Sequence, residues 1–207
     1  DGGFQHLTAA ARCSVGVKAG RYLYEVRILE SKQVAEAGKV KPRQSCTFGF
    51  TTADAPLILA SSPGGIAFDS EGHVVSAGEW SKGRQFARFA AYSRVYGVLL
   101  NLDAASPNCN TVSLFCDGER LCQPQPLPEA LKGKALFPTV NYKNMTLQVG
   151  FGPSVCAGMP FRCRMLQDAA AADVEVRKPK PRTGKPEVLF PVSLPDEGSF
   201  DWLGGFL

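Results

Sequence analysis

Val95-Tyr96-Gly97-Val98-Leu99-Leu100-Asn101-Leu102 is followed, after a short polar stretch, by Thr111-Val112-Ser113-Leu114-Phe115-Cys116-Asp117-Gly118. The first run is apolar on both faces of an extended chain, the pattern of a strand with neighbours on either side and cover above and below. The second alternates, and its Asp-Gly pair is a strong hairpin signal ahead of Leu121. Neither run is long enough, or periodic in the right way, to make an amphipathic helix.

The same character extends outward in both directions. In Gly20–Glu30, Tyr22, Tyr24, Val26 and Ile28 share one face, while Glu25 and Arg27 point to the other. Residues 31–45 are polar and read as a long loop. Strand character returns at Cys46–Thr51 and breaks at Asp54 to Pro56. Between Leu136 and Gly152 lies a last pair: Phe137, Val140 and Tyr142 in one half, then Leu147, Val149 and Phe151 along one face of the other. Short strands separated by turn residues are the signature of an antiparallel sandwich, and the 21 Gly and 15 Pro fit many turns and few helices. The expected fold is all-β.

The chain has 207 residues, of which 44% are hydrophobic and 20% charged, enough for one domain with a core plus an appendage. Its net charge of +4 permits an encounter with RNA or an acidic surface without predicting one. No apolar run approaches the ~20 residues that span a bilayer, so membrane insertion is not expected. The chain opens Asp1-Gly2-Gly3 without Met and reads as a fragment or a processed piece. Seven cysteines with no CxxC pair, and two histidines, His6 and His73, do not suggest a zinc site. They read as buried, reduced thiols of an intracellular protein, nuclear or cytoplasmic.

After Phe161 the composition changes. Asp168 to Asp173 has four alanines and is expected to form a short helix. Arg177 to Pro186 has five cations, three prolines and no acid, the composition of an extended arm. The chain ends on an apolar stretch, Phe200 to Leu207. This divides it into a sandwich domain over residues 1–165 and a tail over 166–207. In the tail, Arg177, Lys178, Lys180, Arg182 and Lys185 are expected to follow an acidic groove or a phosphate backbone. Phe190, Trp202 and Phe206 supply apolar anchors. A tail that folds back to cap a sheet edge is the competing expectation.

Catalysis finds little support. Asp69 and Glu71 are a close carboxylate pair, but Phe68-Asp69-Ser70-Glu71-Gly72 reads as a turn. Ser14, Ser61 and Ser62 lack a GxSxG elbow, and Gly64-Gly65 lacks the Lys-Ser/Thr of a phosphate loop. No cofactor, metal or small-molecule substrate is expected. The segment Trp80 to Arg94 interleaves aromatics with cations, and Trp80, Arg84, Arg88 and Tyr92 are its candidate partner-binding residues. Aromatic platforms beside arginines suit an acidic peptide or RNA bases. The plainer alternative makes Phe86 and Phe89 core anchors and the cations a solvated rim.

Five short motifs, in order, resemble the SPRY family of B30.2/SPRY-like, concanavalin-like sandwiches. Gly20-Arg21-Tyr22-Leu23-Tyr24-Glu25-Val26 is similar to the family's early Gly-Arg/Lys-aromatic-x-aromatic-Glu-Val strand. Val98 to Asp103 resembles its L-L-D-L-D strand, and Leu114 to Gly118 its F-x-x-N-G hairpin. Leu136 to Val140 resembles L-Y/F-P-x-V, and Val149 to Pro153 the closing V-x-F-G-P. The resemblance implies a bent antiparallel sandwich whose loops converge at one end to hold a protein partner within a larger assembly. Residues 52–57 and 142–145 look like peptide-binding stretches of SPRY domains coupled to SOCS boxes. On that likeness Thr52, Tyr142, Lys143 and Asn144 are expected at the binding surface. The aromatic that completes that surface has no counterpart in Ile58 to Gly65, and no SOCS-box-like sequence follows. A likeness to the SPRY domain of heterogeneous nuclear ribonucleoprotein U implies RNA association as the alternative function. A lectin-like or carbohydrate-active sandwich is the third.

Overall fold

The computed structural model describes residues 7–31, 44–59, 63–89, 94–161 and 163–178. In chain order its strands are β1 (Ala9–Arg12), β2 (Val15–Val17), β3 (Gly20–Ser31), β4 (Ser45–Thr51), β5 (Gly65–Asp69), β6 (Val74–Ser76), β7 (Glu79–Trp80) and β8 (Val95–Leu102). They continue with β9 (Thr111–Cys116), β10 (Glu119–Arg120), β11 (Gln125–Pro126), β12 (Phe137–Lys143), β13 (Met145–Gly150), β14 (Arg164–Met165) and β15 (Val174–Val176). One sheet has the order β1-β12-β4-β5-β6-β7, the other β10-β9-β8-β3-β13, with β11 beside β9. Pairing is antiparallel except for the two residues of β14, which lie parallel to β3.

The core lies between the sheets. Tyr24, Val26 and Ile28 from β3 and Tyr96, Val98 and Leu100 from β8 meet Phe48, Phe50 and Phe68 from the facing sheet. The Tyr24 hydroxyl, buried with its ring, donates to the Gly49 carbonyl at 2.9 Å. β8 is covered on both faces, as its unbroken apolar run predicts. Its second face, with Leu23, Leu99 and Phe115, packs under Met165, Val155, Met159 and Phe161.

That cover changes the reading of Glu25. It does point away from the main core, but it is only 3% exposed. Its carboxylate accepts the backbone N–H groups of Cys156 at 2.6 Å and Ala157 at 3.2 Å, which pins the covering segment to the sheet.

The stretch expected to be a short helix instead forms 3-10 turns at Leu166–Asp168 and Ala171–Asp173. Packing also continues past the domain boundary expected at residue 165. Leu166 is buried in the main core, and the Tyr22 hydroxyl donates to Asp173 at 2.6 Å. β15 then pairs antiparallel with β2, Val174 opposite Val17 and Val176 opposite Val15. Arg177 closes this ladder by donating its N–H to the Ser14 carbonyl at 2.8 Å. Pro179 and Pro181 follow, and residues without an N–H cannot continue such a ladder.

Candidate functional site

Strand register defines the two ends of the sandwich. Lys143 lies opposite Ser45, and Thr47 opposite Asp69. The β12–β13 turn, the start of β4 and the β5–β6 turn therefore share one end. In the other sheet Met145 lies opposite Ser31 and Tyr96 opposite Cys116, which brings the start of β8 and the β9–β10 hairpin to the same end. At the opposite end, Thr51 lies across from Phe137 and Gly65.

This register separates residues that the sequence reading grouped together. Thr52 follows the far terminus of β4, six positions along the ladder from Lys143, or ~20 Å at ~3.3 Å per residue. Its neighbours Ala53, Ala55 and Pro56 fold over the first sheet because the Arg12 guanidinium collects their carbonyls. Asn141 anchors the next residues, accepting from the Leu59 N–H at 2.7 Å and donating to the Leu57 carbonyl at 2.8 Å. Neither anchor is legible in the sequence. They act on residues more than 40 and 80 positions away, so no local signal marks them.

Trp80, Arg84 and Arg88 do gather. Asp69, 6% exposed, organises the turn beneath them by accepting the N–H groups of Glu71 at 3.0 Å and His73 at 2.7 Å. The next segment is laced to that turn: Gln85 N–H donates to Gly72 O, and Phe89 N–H to Ser70 O. Gly72 sits at φ +97°, where an added Cβ would lie 2.3 Å from the Phe86 carbonyl oxygen. Phe86 is buried against Phe68, and Phe89 stacks on Tyr96 with centroids 4.4 Å apart. These two rings are core anchors, and they hold Arg88, which lies between them, at the surface. Arg88 pairs with Glu71. Lys82 and Arg84 are exposed and have no ion-pair partner among the described residues. Trp80 is 49% exposed and meets the His73 ring edge-to-face at 5.9 Å.

Tyr142, Lys143 and Asn144 lie at the same end but toward the other edge. Tyr142 is half-buried against the core, and Asn144 turns the chain at φ +54°. Four strand spacings, ~19 Å, separate β12 from β7. Tyr92 lies outside the described residues, as do Lys180, Arg182, Lys185, Phe190, Trp202 and Phe206. Lys178 is exposed. Arg177, expected to reach a partner, instead binds its own domain, donating to Asp54 at 2.7 Å and to the Ala53 carbonyl at 3.3 Å.

The carboxylate pair Asp69 and Glu71 is engaged, one by turn amides and the other by Arg88, an arrangement that holds a loop. A separate open pocket of about 800 Å³ lies over the start of β3, lined by Arg21, Tyr22, Asp103, Met159, Phe161 and Asp173. Its polar groups are also engaged: Asp173 accepts from Tyr22, Asp103 accepts from Ala105 N–H, and the Arg21 guanidinium lies over the Phe161 ring. All seven cysteines are free thiols, and the expectation of burial holds for Cys46 alone; Cys156 is exposed and the others are intermediate. Burial, and then Asp69, pushes the Cys46 thiol well above its ordinary pKa. No helix among the described residues is long and apolar enough to cross a membrane.

No protein-family model matches the sequence, and no curated protein matches it closely enough to count as a relative. Solved structures do match. A human SPRY domain superposes with a TM-score of 0.50 at 15% identity, covering 72% of this chain and 87% of its own. The fold is that of a SPRY domain. The SPRY domain of human HERC1 gives a TM-score of 0.46 at 14% identity, over 72% of this chain and 85% of its own. Within this SPRY fold the end carrying Trp80 to Phe89 combines ordered loops, an exposed indole and two cations, Lys82 and Arg84, without ion-pair partners among the described residues. Rigid strands that carry such loops are a general route to recognition without chemistry.

Proposed function

We propose that this chain is a non-catalytic protein-interaction module of a larger assembly. Its partner surface is the loop end formed by Trp80, Lys82, Arg84 and Arg88, with Lys143 and Asn144 toward the opposite edge. One observation carries the reading: an indole half in solvent, beside cations on a segment held rigid by Phe86, Phe89 and the Asp69 turn. A preorganised loop loses little conformational entropy on binding, and exposed aromatics beside arginines are the residue types that carry interface energy. The chemistry fits an acidic peptide segment. Because Arg177 is engaged by its own domain, partner contacts are assigned to the loop end rather than to the start of the tail.

The same exposed indole and cations favour RNA as the second reading, since bases stack on such platforms. Affinity purification of the full chain, with and without nuclease, separates the two. The protein reading predicts a co-purifying set that survives nuclease and is lost in Trp80→Ala. Loss on nuclease treatment, with binding that falls steeply as salt is raised, establishes the RNA reading instead.

A further inference from the structure

One flank of the sandwich stays open. The first sheet ends there on β1 and the second on β13, and among the described residues no strand covers either of these edges. Between these two edges runs an apolar cleft. It consists of two adjoining hollows, about 190 and 400 Å³, that share Cys13 and Phe151. Ala11, Val140 and Val149 line the first; Leu166, Val174 and Val176 line the second. Among the described residues Arg12 is the one charged side chain at the walls of these hollows, and its guanidinium is turned to the carbonyls of Ala53, Ala55 and Pro56. Val176, on the rim, is 61% exposed. The cleft thus asks for an extended, uncharged, apolar segment flanked by free strand edges.

The chain itself supplies one. β15 forms part of the cleft wall, and the ladder it makes reaches Arg177 among the described residues, so the remainder of the tail is tethered beside the cleft. Ten residues, 178–187, precede Val188-Leu189-Phe190-Pro191-Val192. At ~3.3 Å each they reach at most ~33 Å, while the six residues of β13 span only ~20 Å. In an extended chain Val188, Phe190 and Val192 share one face, the pattern that fills an apolar cleft. The last apolar run, Trp202-Leu203-Gly204-Gly205-Phe206, has two glycines at its centre and is a poorer strand.

We propose that Val188–Val192 is the occupant of the cleft between β1 and β13, docked in cis. Tethering through a linker of about ten residues gives an effective concentration in the millimolar range, so a weak apolar contact suffices to keep the site filled. The segment then closes the flank against edge-to-edge association, while the cationic run between Lys178 and Lys185 passes over the outside of the domain.

The test uses the full chain with p-benzoylphenylalanine in place of Phe190. Irradiation is expected to give cross-links within one chain, to peptides containing residues 9–15 or 145–151, with a yield independent of protein concentration. In a second arm, Phe190→Asp in the full chain is expected to speed amide exchange at Met145–Phe151 at least tenfold, with exchange at β8 unchanged. Cross-links between two chains identify a second copy as the occupant and overturn the proposal. So do cross-links that avoid both strands, or amide exchange at β13 that Phe190→Asp leaves unchanged.

Discussion

Glu25 shows how a correct face assignment can still give the wrong environment. Alternation along Gly20–Glu30 places it opposite Tyr24 and Val26, and that is where it lies. What alternation cannot convey is that Val155, Met159, Phe161 and Met165 cover that face, and that the amides of Cys156 and Ala157, more than 130 positions later, engage the carboxylate. Glu25→Ala leaves the amides of Cys156 and Ala157 without their acceptor beneath a covering segment. It is expected to cost ~1–3 kcal/mol, read as a lower urea midpoint with an unchanged slope. Leu100 is the opposite case, since its burial is legible from the sequence: it ends an unbroken run from Val95 that offers no polar side chain on either face of β8 except the Tyr96 hydroxyl. Leu100→Asp places an unpaired carboxylate at a fully buried position. A loss above ~4 kcal/mol, most of a small domain's stability, is expected. A soluble variant with a cooperative melt near the parent's would contradict the strand assignment.

At the scale of elements, strands were easier to read than their connections. β8, β9 with its Asp117-Gly118 turn, and β12 with β13 emerge from alternation and turn chemistry. Both turn residues indeed take positive φ, 48° and 86°. β5 did not emerge: Gly65-Ile66-Ala67-Phe68-Asp69 is buried throughout, is only five residues long, and begins beside a Pro-Gly-Gly turn. The helix expected over 168–173 followed alanine content, yet the segment is fixed by burial of Leu166 and by the Tyr22–Asp173 bond, which outweigh propensity. The candidate site was legible only in part. Interleaving of aromatics and cations marks Trp80 to Arg94, and over the described part, Trp80 to Phe89, the structure separates the core rings Phe86 and Phe89 from an exposed indole and exposed charges. The grouping of Thr52 with Tyr142 came from local likeness, which carries no information about register. The β14–β15 region gives the prediction at this scale. A chain ended at Lys178 keeps Leu166 buried and the β15–β2 ladder intact, and is expected to melt within a few degrees of the full chain. Ending it at Met165 removes Leu166, worth ~1.5–3 kcal/mol of burial, together with that ladder and the Tyr22–Asp173 bond. A drop in melting temperature of about 10 °C or more is expected. Equal melting of the two truncated chains would show that residues 166–177 are not part of the folded unit.

For the whole molecule, the two ends of the sandwich are built differently. At one end residues 53–59 are drawn down on the sheet by Arg12, Asn141 and Arg177. At the other, the Asp69 turn and two core phenylalanines support a half-exposed indole and exposed cations. The most direct measurement is amide hydrogen exchange of the full chain, free and saturated with the partner recovered after nuclease treatment. The account predicts that binding protects Trp80–Phe89 and Lys143–Met145 and leaves Thr52–Ile58 unchanged. Protection confined to Thr52–Ile58 and the other loops of the opposite end would contradict it.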